Sequence, residues 1–304
     1  MGTTTAFLAI VGRPNVGKSS LMNRMLGAKV AIVSDKPQTT RTRIMGVLTR
    51  GECQLVFIDT PGLHKPRTKL GESMVKAVDD SVGDVDACVL VVDASDLRSD
   101  LSPAPAEADL MARFRKSKLP AVLVLNKIDL VADRTKLLAA IAAYSSRFDF
   151  AAVVPLSAAT GDGVDALLDE LTVFAAEGPH FFADDSLTDQ SERTLAAEIL
   201  REKLLRSLDK EVPHGIAVGI ETFSDRKNAG GEDLLDIEAT IYCEADSHKG
   251  IIIGKGGAML KKVSTQARID MERFFGCKVN LRCWVKVKED WRNRQGLIHN
   301  FGLD

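Results

Sequence analysis

The chain has 304 residues, 45% of them hydrophobic, and a formal net charge of −2. Such a length suggests about two domains with ordinary buried cores, and so small a charge excludes a protein that grips polyanions over its whole surface. No apolar stretch approaches the roughly 20 residues of a membrane span, the short first apolar run lacks the basic flank of a signal peptide, and Gly2 is not followed by Ser or Thr at position 6, as myristoylation requires.

The first expected element is a strand, Phe7 to Val11. It leads into Gly12-Arg13-Pro14-Asn15-Val16-Gly17-Lys18-Ser19, and a helical run with Ser20 follows from Ser19 to Leu26. The octet is a complete G-x-x-x-x-G-K-[ST] phosphate loop in a strand–loop–helix context. Its backbone N–H groups and the positive end of the helix dipole favour a polyphosphate. Lys18 is expected to reach the β- and γ-phosphates, and the Ser19 hydroxyl to bind Mg2+. Ala31 to Arg43 reads as the switch loop. Thr39 and Thr40 are both candidates for the threonine that binds the metal and senses the γ-phosphate, and spacing does not choose between them.

The strand Leu55 to Ile58 ends on Asp59-Thr60-Pro61-Gly62. Asp59 can hold the metal through water, and Gly62 lets its N–H approach the γ-phosphate. Leu63 stands where Ras-like enzymes carry the glutamine that orients the attacking water. Leucine cannot hydrogen-bond water, so intrinsic hydrolysis is expected to be slow without another stabiliser. His64 reads as a solvated loop histidine. After the strand Ala121 to Leu125 comes Asn126-Lys127-Ile128-Asp129. Asp129 would accept from the guanine N1–H and 2-amino group, a donor pair adenine lacks, and a buried charge left unpaired would reject the wrong base. Asn126 and Lys127 would brace ring and loop. Ser157-Ala158, after the strand Ala151 to Leu156, would offer a backbone N–H to the guanine oxygen. Four motifs in this order resemble the GTPase branch of the P-loop proteins. Strands near 5–11, 44–49, 53–58, 87–92, 121–125 and 151–156 alternate with helical segments, the last from Asp162 to Phe174. That is the doubly wound, mostly parallel α/β pattern, here over residues 1–175.

Glu177-Gly178-Pro179-His180 and the acidic stretch to Asp189 break the pattern, so 176–189 reads as a linker and 190–304 as a second, smaller α+β domain. Gln190 to Leu208 has helical apolar spacing, with Asp189 and Glu192 as its cap. Pro213 to Phe223 and Leu234 to Cys243 read as strands. A short helix-like turn through Ile252 and Ile253 leads to Gly254-Lys255-Gly256-Gly257, a helix runs from about Gly257 to Phe275, and Lys278 to Lys288 alternates apolar with basic or aromatic residues. From Lys249 to Arg294, twelve lysines and arginines stand against four acids, a net of +8 that leaves −10 for the remainder. That asymmetry reads as a nucleic-acid module joined to an acidic one. Trp284 and Trp291 read as packed rather than base-stacking residues. Cys53, Cys88, Cys243, Cys277 and Cys283 show no C-x-x-C or metal spacing, which fits packed thiols in a reducing cytosol.

The order α-β-β-α-α-β with G-x-x-G between the middle helices resembles a type II KH domain, whose glycine loop clamps about four unpaired nucleotides. The resemblance implies phosphate contact by Lys255, a groove flanked by Lys261, Lys262 and Arg268, and an apolar floor drawn from Ile252, Ile253 and Leu260, with core packing an equal alternative for the isoleucines. A phosphate-loop domain followed by this one, with the strings GRPNVGKS, PQTTR, DTPG, NKID and IIIGKGG, resembles the Era family of bacterial ribosome-assembly GTPases over nearly the whole chain. That implies binding of GTP and GDP, slow GTP hydrolysis, and binding of the 3′ end of small-subunit (16S) ribosomal RNA during maturation of the small (30S) subunit. It further implies a cytoplasmic protein with peripheral association at the inner membrane face, although composition gives no sign of membrane binding. A monomer is expected. Asn15 would ligate a potassium ion, as in hydrophobic-substituted GTPases with asparagine there, supplying charge near the β- and γ-phosphates. A passive RNA-binding factor that uses nucleotide structurally, and a membrane-associated GTPase of the same group, stay open.

Overall fold

The computed structural model describes residues 2–36, 38–62, 68–83, 85–227 and 230–303. They divide into two compact units. The first runs to Asp189 apart from Ile32–Thr39 and residues 68–70, which group with the second.

The first unit holds strands β1 (Thr4–Val11), β2 (Ile44–Arg50), β3 (Cys53–Asp59), β4 (Ala87–Asp93), β5 (Ala121–Asn126), β6 (Ala152–Pro155) and β7 (Ala176–Glu177). Its helices are α1 (Lys18–Leu26), α2 (Lys69–Gly83), α3 (Pro105–Ser117), α4 (Arg134–Ser145) and α5 (Val164–Thr172). The sheet order is β2-β3-β1-β4-β5-β6, with β7 pairing β1. Strands β1 and β3 to β6 are parallel; β2 is antiparallel to β3, and β7 to β1. Central strands read as unbroken apolar runs because both sheet faces are covered; all seven residues of β4 are buried. Along β1, Ala6, Leu8 and Ile10 enter one core with Leu21, Met22 and Leu168. Ala9 and Val11 enter the other with Val78, Phe114 and Tyr144. The alternation therefore sorts α1 and α5 to one face and α2 to α4 to the other. It also brings Gly12, Asp59 and Asn126 to the carboxyl ends of β1, β3 and β5, where open α/β sheets bind ligands.

The segment after β7 runs along the sheet. Gln54 Oε1 accepts from Phe181 N and Phe182 N at 2.9 and 3.0 Å, and its Nε2 donates to Phe182 O at 3.0 Å. Val47 N donates to Leu187 O at 3.0 Å and Met45 N to Asp189 Oδ1 at 3.3 Å. Asp189 is thus engaged on β2 and does not cap the next helix. Ser191 does, its Oγ accepting from Thr194 N at 3.2 Å.

The second unit holds α6 (Glu192–Ser207), β8 (Ala217–Lys227), β9 (Asp233–Cys243), α7 (Asp246–Ile253), α8 (Ala258–Phe275), β10 (Lys278–Val287) and α9 (Gln295–Asn300). In place of the strand expected from Pro213, Val212–Gly215 forms a 3₁₀ turn, since proline has no N–H for a ladder. β9 is central, antiparallel to β8 and parallel to β10. One sheet face packs on α6 and α8 through Leu200, Leu204, Val263, Met271, Ile237 and Val285. Helix α6 also buries three consecutive charged residues, Arg201, Glu202 and Lys203. Three successive helical positions cannot share one face, so α6 is buried on more than one side at this turn. Within this unit Val33 N donates to Glu202 Oε1 at 3.1 Å, and Arg206 donates to Val33 O at 2.8 Å. Trp291 is fully buried, its Nε1–H donating to Gly215 O at 2.9 Å. Trp284 is 45% exposed. That corrects the packed reading of it: it has the opposite parity on β10 from the core residues Val279 and Val285.

Candidate nucleotide site and glycine loop

Backbone geometry builds the phosphate loop. Gly17 has φ +98°, and a Cβ there would lie 2.3 Å from Asn126 Nδ2, so no other residue fits. Lys18 folds over the loop, donating to Gly12 O at 3.2 Å and Arg13 O at 3.0 Å. Burial lowers its pKa to about 8, opposed in part by Asp59. Ser19 Oγ donates to Asp59 Oδ2 at 2.6 Å and lies 3.0 Å from Thr40 Oγ1, which is 3.5 Å from the same carboxylate oxygen. Asp59 Oδ1 is buried with no hydrogen-bond partner. Desolvation pushes the Asp59 pKa up, while Lys18 and the two hydroxyls pull it down. A buried carboxylate oxygen without a donor, beside two hydroxyls, suits an oxygen-liganded cation such as Mg2+.

Thr40 faces this point and Thr39 does not. Thr39 Oγ1 donates to Lys36 O at 2.6 Å, and its carbonyl accepts from Arg201. Thr60 Oγ1 donates to Ile10 O at 2.9 Å. A Cβ on Gly62 would sit 2.7 Å from Pro14 Cα, so Gly62, next after Pro61, lies against the phosphate loop. Leu63 and His64 lie outside the described residues.

Asn126 links three motifs. Its Nδ2 donates to Val16 O at 2.8 Å, and its Oδ1 accepts from Ala158 N at 3.0 Å. Lys127 Nζ donates to Asn15 O at 2.8 Å and to Asp93 Oδ2 at 2.6 Å. The exposed Asn15 is thereby held at φ +63°. Asp129 accepts from Ser157 Oγ at 2.6 Å and borders a cleft of about 360 Å³ with Ile128 and Thr160. Asp129 is exposed. Burial, and the penalty for a wrong base, must come with the base itself. The Ala158 N–H reaches a guanine oxygen only by giving up Asn126.

Two supports were invisible in the sequence. Asp93 positions Lys127. Glu107, 1% exposed, accepts from Arg13 Nε at 2.8 Å, Tyr144 Oη–H at 2.6 Å and Ala104 N at 2.7 Å. The signal available was Pro105 with Glu107 two residues on, the first and third positions of a helix. It does not say that the carboxylate turns inward.

In the second unit, Gly254, Gly256 and Gly257 have φ +73°, +59° and +80°, and a Cβ on Gly254 would lie 2.7 Å from Met259 Cβ. This tight turn between α7 and α8 presents Lys255 to solvent, with Lys261 and Lys262 exposed on the next turn. Arg268 is half-buried, paired with Glu272 at 2.8 Å, and about 15 Å along α8 from Ala258. Ile252 is 0% exposed in the core, so it forms no part of a groove floor. Ile253 and Leu260 are half-buried, and Ile251 is 50% exposed.

Family models match residues 7–127 as a 50S ribosome-binding GTPase and residues 211–292 as a KH domain. GTPase Era of Ruminiclostridium cellulolyticum is 47% identical over 302 residues, 99% of this chain and 98% of the relative. GTPase Era of Clostridioides difficile is 48% identical over 300 residues, with 99% and 98% covered. This chain belongs to the Era family of GTPases. Two solved Era structures cover 99% of this Era-family chain and of their own. A complex of Era with MgGDPNP and nucleotides 1506–1542 of 16S ribosomal RNA has TM-score 0.91 at 35% identity. An Aquifex aeolicus Era variant bound to GDP·AlF4⁻ has TM-score 0.92 at 36% identity. The Era-family assignment makes the first unit a P-loop GTPase and the second a KH domain.

Proposed function

We propose that this Era-family GTPase is a GTP-operated switch that binds the 3′ end of 16S ribosomal RNA through its KH domain and assists maturation of the small ribosomal subunit. Residues 1–175 are the GTPase domain, 176–189 the connection and 190–304 the RNA-binding domain. One observation carries the switch: Thr40, in the switch loop, converges with Ser19 and Asp59. Ser19 and Thr40 would hold Mg2+ directly and Asp59 through water, and the ion would neutralise charge on the β- and γ-phosphate oxygens. Lys18 grips those phosphates, the Gly62 amide meets the γ-phosphate, and Asp129 reads the guanine edge. The γ-phosphate would order the loop through the ion that Thr40 would help to hold. Asn15, fixed by Lys127, would ligate K+. Hydrolysis is then faster in K+ than in Na+ at equal ionic strength, and equal rates end that assignment.

The contacting groups on the RNA side are Lys255, with Lys261 and Lys262, around Gly254, Gly256 and Gly257, and Ile253 and Leu260 below. No helix among the described residues is long and apolar enough to cross a membrane. The protein acts in the cytoplasm. Peripheral membrane contact belongs to the same reading, and flotation with vesicles after removal of RNA tests it. The switch itself is tested by titrating a 16S 3′-end RNA into protein loaded with a GTP analogue or with GDP. Reciprocal linkage requires different affinities in the two states; matching affinities would exclude the switch.

A further inference from the structure

The sheet face opposite α6 and α8 has an unusual edge. Arg282, Trp284 and Lys286 share it, along with Lys278, and all four are exposed. Trp284 thus stands on an edge strand with a cation on either side, each about 7 Å away at the two-residue repeat of a strand. Asp236, Glu238 and Glu221 reach this face, and each is engaged; Glu221 accepts from Tyr242 Oη at 3.2 Å. Asp236 binds Arg226 and accepts from Asn280 at 2.6 Å; Glu238 accepts from Thr222 at 3.0 Å and from Arg282 at 3.2 Å. Arg282 remains 59% exposed all the same. No other large hydrophobic residue of β8, β9 or β10 is exposed. The centre of a protein interface gathers aromatic residues and arginine but is depleted in lysine. A lone indole with Lys286 as well as Arg282 beside it suits a site where a base stacks and phosphates are neutralised.

We propose that Trp284 is a stacking platform for a base of single-stranded RNA, with Arg282 and Lys286 on flanking phosphates, outside the glycine-loop groove. The proposal rests on the RNA-binding reading above and adds a second contact to it. A groove that clamps about four nucleotides is filled by a short oligonucleotide, so the platform shows only with a longer one. The chain has two tryptophans, and Trp291 is 0% exposed, so emission changes report Trp284.

The test uses the full-length protein with a GTP analogue and two labelled single-stranded RNAs, of 5 and 16 nucleotides. The longer RNA is expected to quench Trp284 emission. Trp284→Ala should weaken the 16-mer roughly tenfold and leave the 5-mer unchanged, while Trp284→Phe restores binding. Lys255→Asp should weaken both lengths. Unchanged melting temperature and Trp291 emission establish that Trp284→Ala is folded. Wild-type binding of the 16-mer by Trp284→Ala, or no emission change at RNA saturation, overturns the platform and leaves the groove standing. A Trp284 effect confined to self-association in sedimentation makes the face a protein interface and overturns it too. Failure of the wild type to bind either RNA removes the RNA-binding reading and this proposal together.

Discussion

Raising the pH from 7 to 9 should act on one group of the phosphate site above all others. Lys18 is enclosed, and burial lowers its pKa to about 8 in the nucleotide-free pocket. A bound polyphosphate restores the charged form, returning the pKa to the ordinary lysine value of about 10.4 or above. The sign follows. Below pH 8 the free protein already carries the ammonium and affinity is full; above it, binding must take up a proton. With a pKa of about 8, the charged fraction falls from about 0.9 at pH 7 to about 0.1 at pH 9, so the Kd for GDP should rise about tenfold. Calorimetry in buffers of different ionisation enthalpy should show uptake growing from about 0.1 to about 0.9 proton per site. Lys18→Ala should bind more weakly and lack this slope, a control that removes the nucleotide's own titration. The same shift makes the free protein gain stability between pH 8 and about 10, because the unfolded chain binds more protons there. Equal Kd values at pH 7 and pH 9, with no buffer-dependent heat, would refute the argument.

Gly62→Ala places a methyl 2.7 Å from Pro14 Cα. Single-turnover hydrolysis should fall about a hundredfold while GDP affinity, measured alongside, barely changes; equal losses in both would contradict this. Glu107→Ala strands Arg13 and the Tyr144 hydroxyl and should cost about 3 kcal/mol in denaturant unfolding, with Glu107→Gln recovering part of it. Trp291→Ala empties a fully buried site and should cost about 3–5 kcal/mol. A melting temperature within 2 °C of wild type, read by far-UV circular dichroism, would mean the pocket collapses.

The parts legible in sequence share one property: they are set by short-range pattern. Unbroken apolar runs such as Ala87 to Val92 mark strands covered on both faces, and the phosphate loop carries its own backbone chemistry. The order α-β-β-α-α-β likewise followed from local periodicity. What was not legible depends on orientation or on distant partners. Thr39 and Thr40 are adjacent and chemically equal, and only the chain's path turns the second toward Asp59. Glu107 looks like any helix-opening acid until Arg13 and Tyr144 meet it from 94 and 37 residues away. Ile252 and Ile253 follow one another, yet the first is core and the second half-buried because successive helical positions point about 100° apart. Trp284 is exposed where a large aromatic is expected to pack, and its strand parity, opposite to Val285, is the local signal that turns it outward.

The bonds along β2 bear on how the molecule can be taken apart. The amides of Met45 and Val47 lie on the outermost strand of the sheet, and Asp189 and Leu187 satisfy them. A truncation at residue 175 would strip that selvedge and leave bare donors as a template for neighbouring copies to zip onto. A fragment ending after residue 189 keeps it. The stretch that joins the two modules therefore also guards the first one against aggregation.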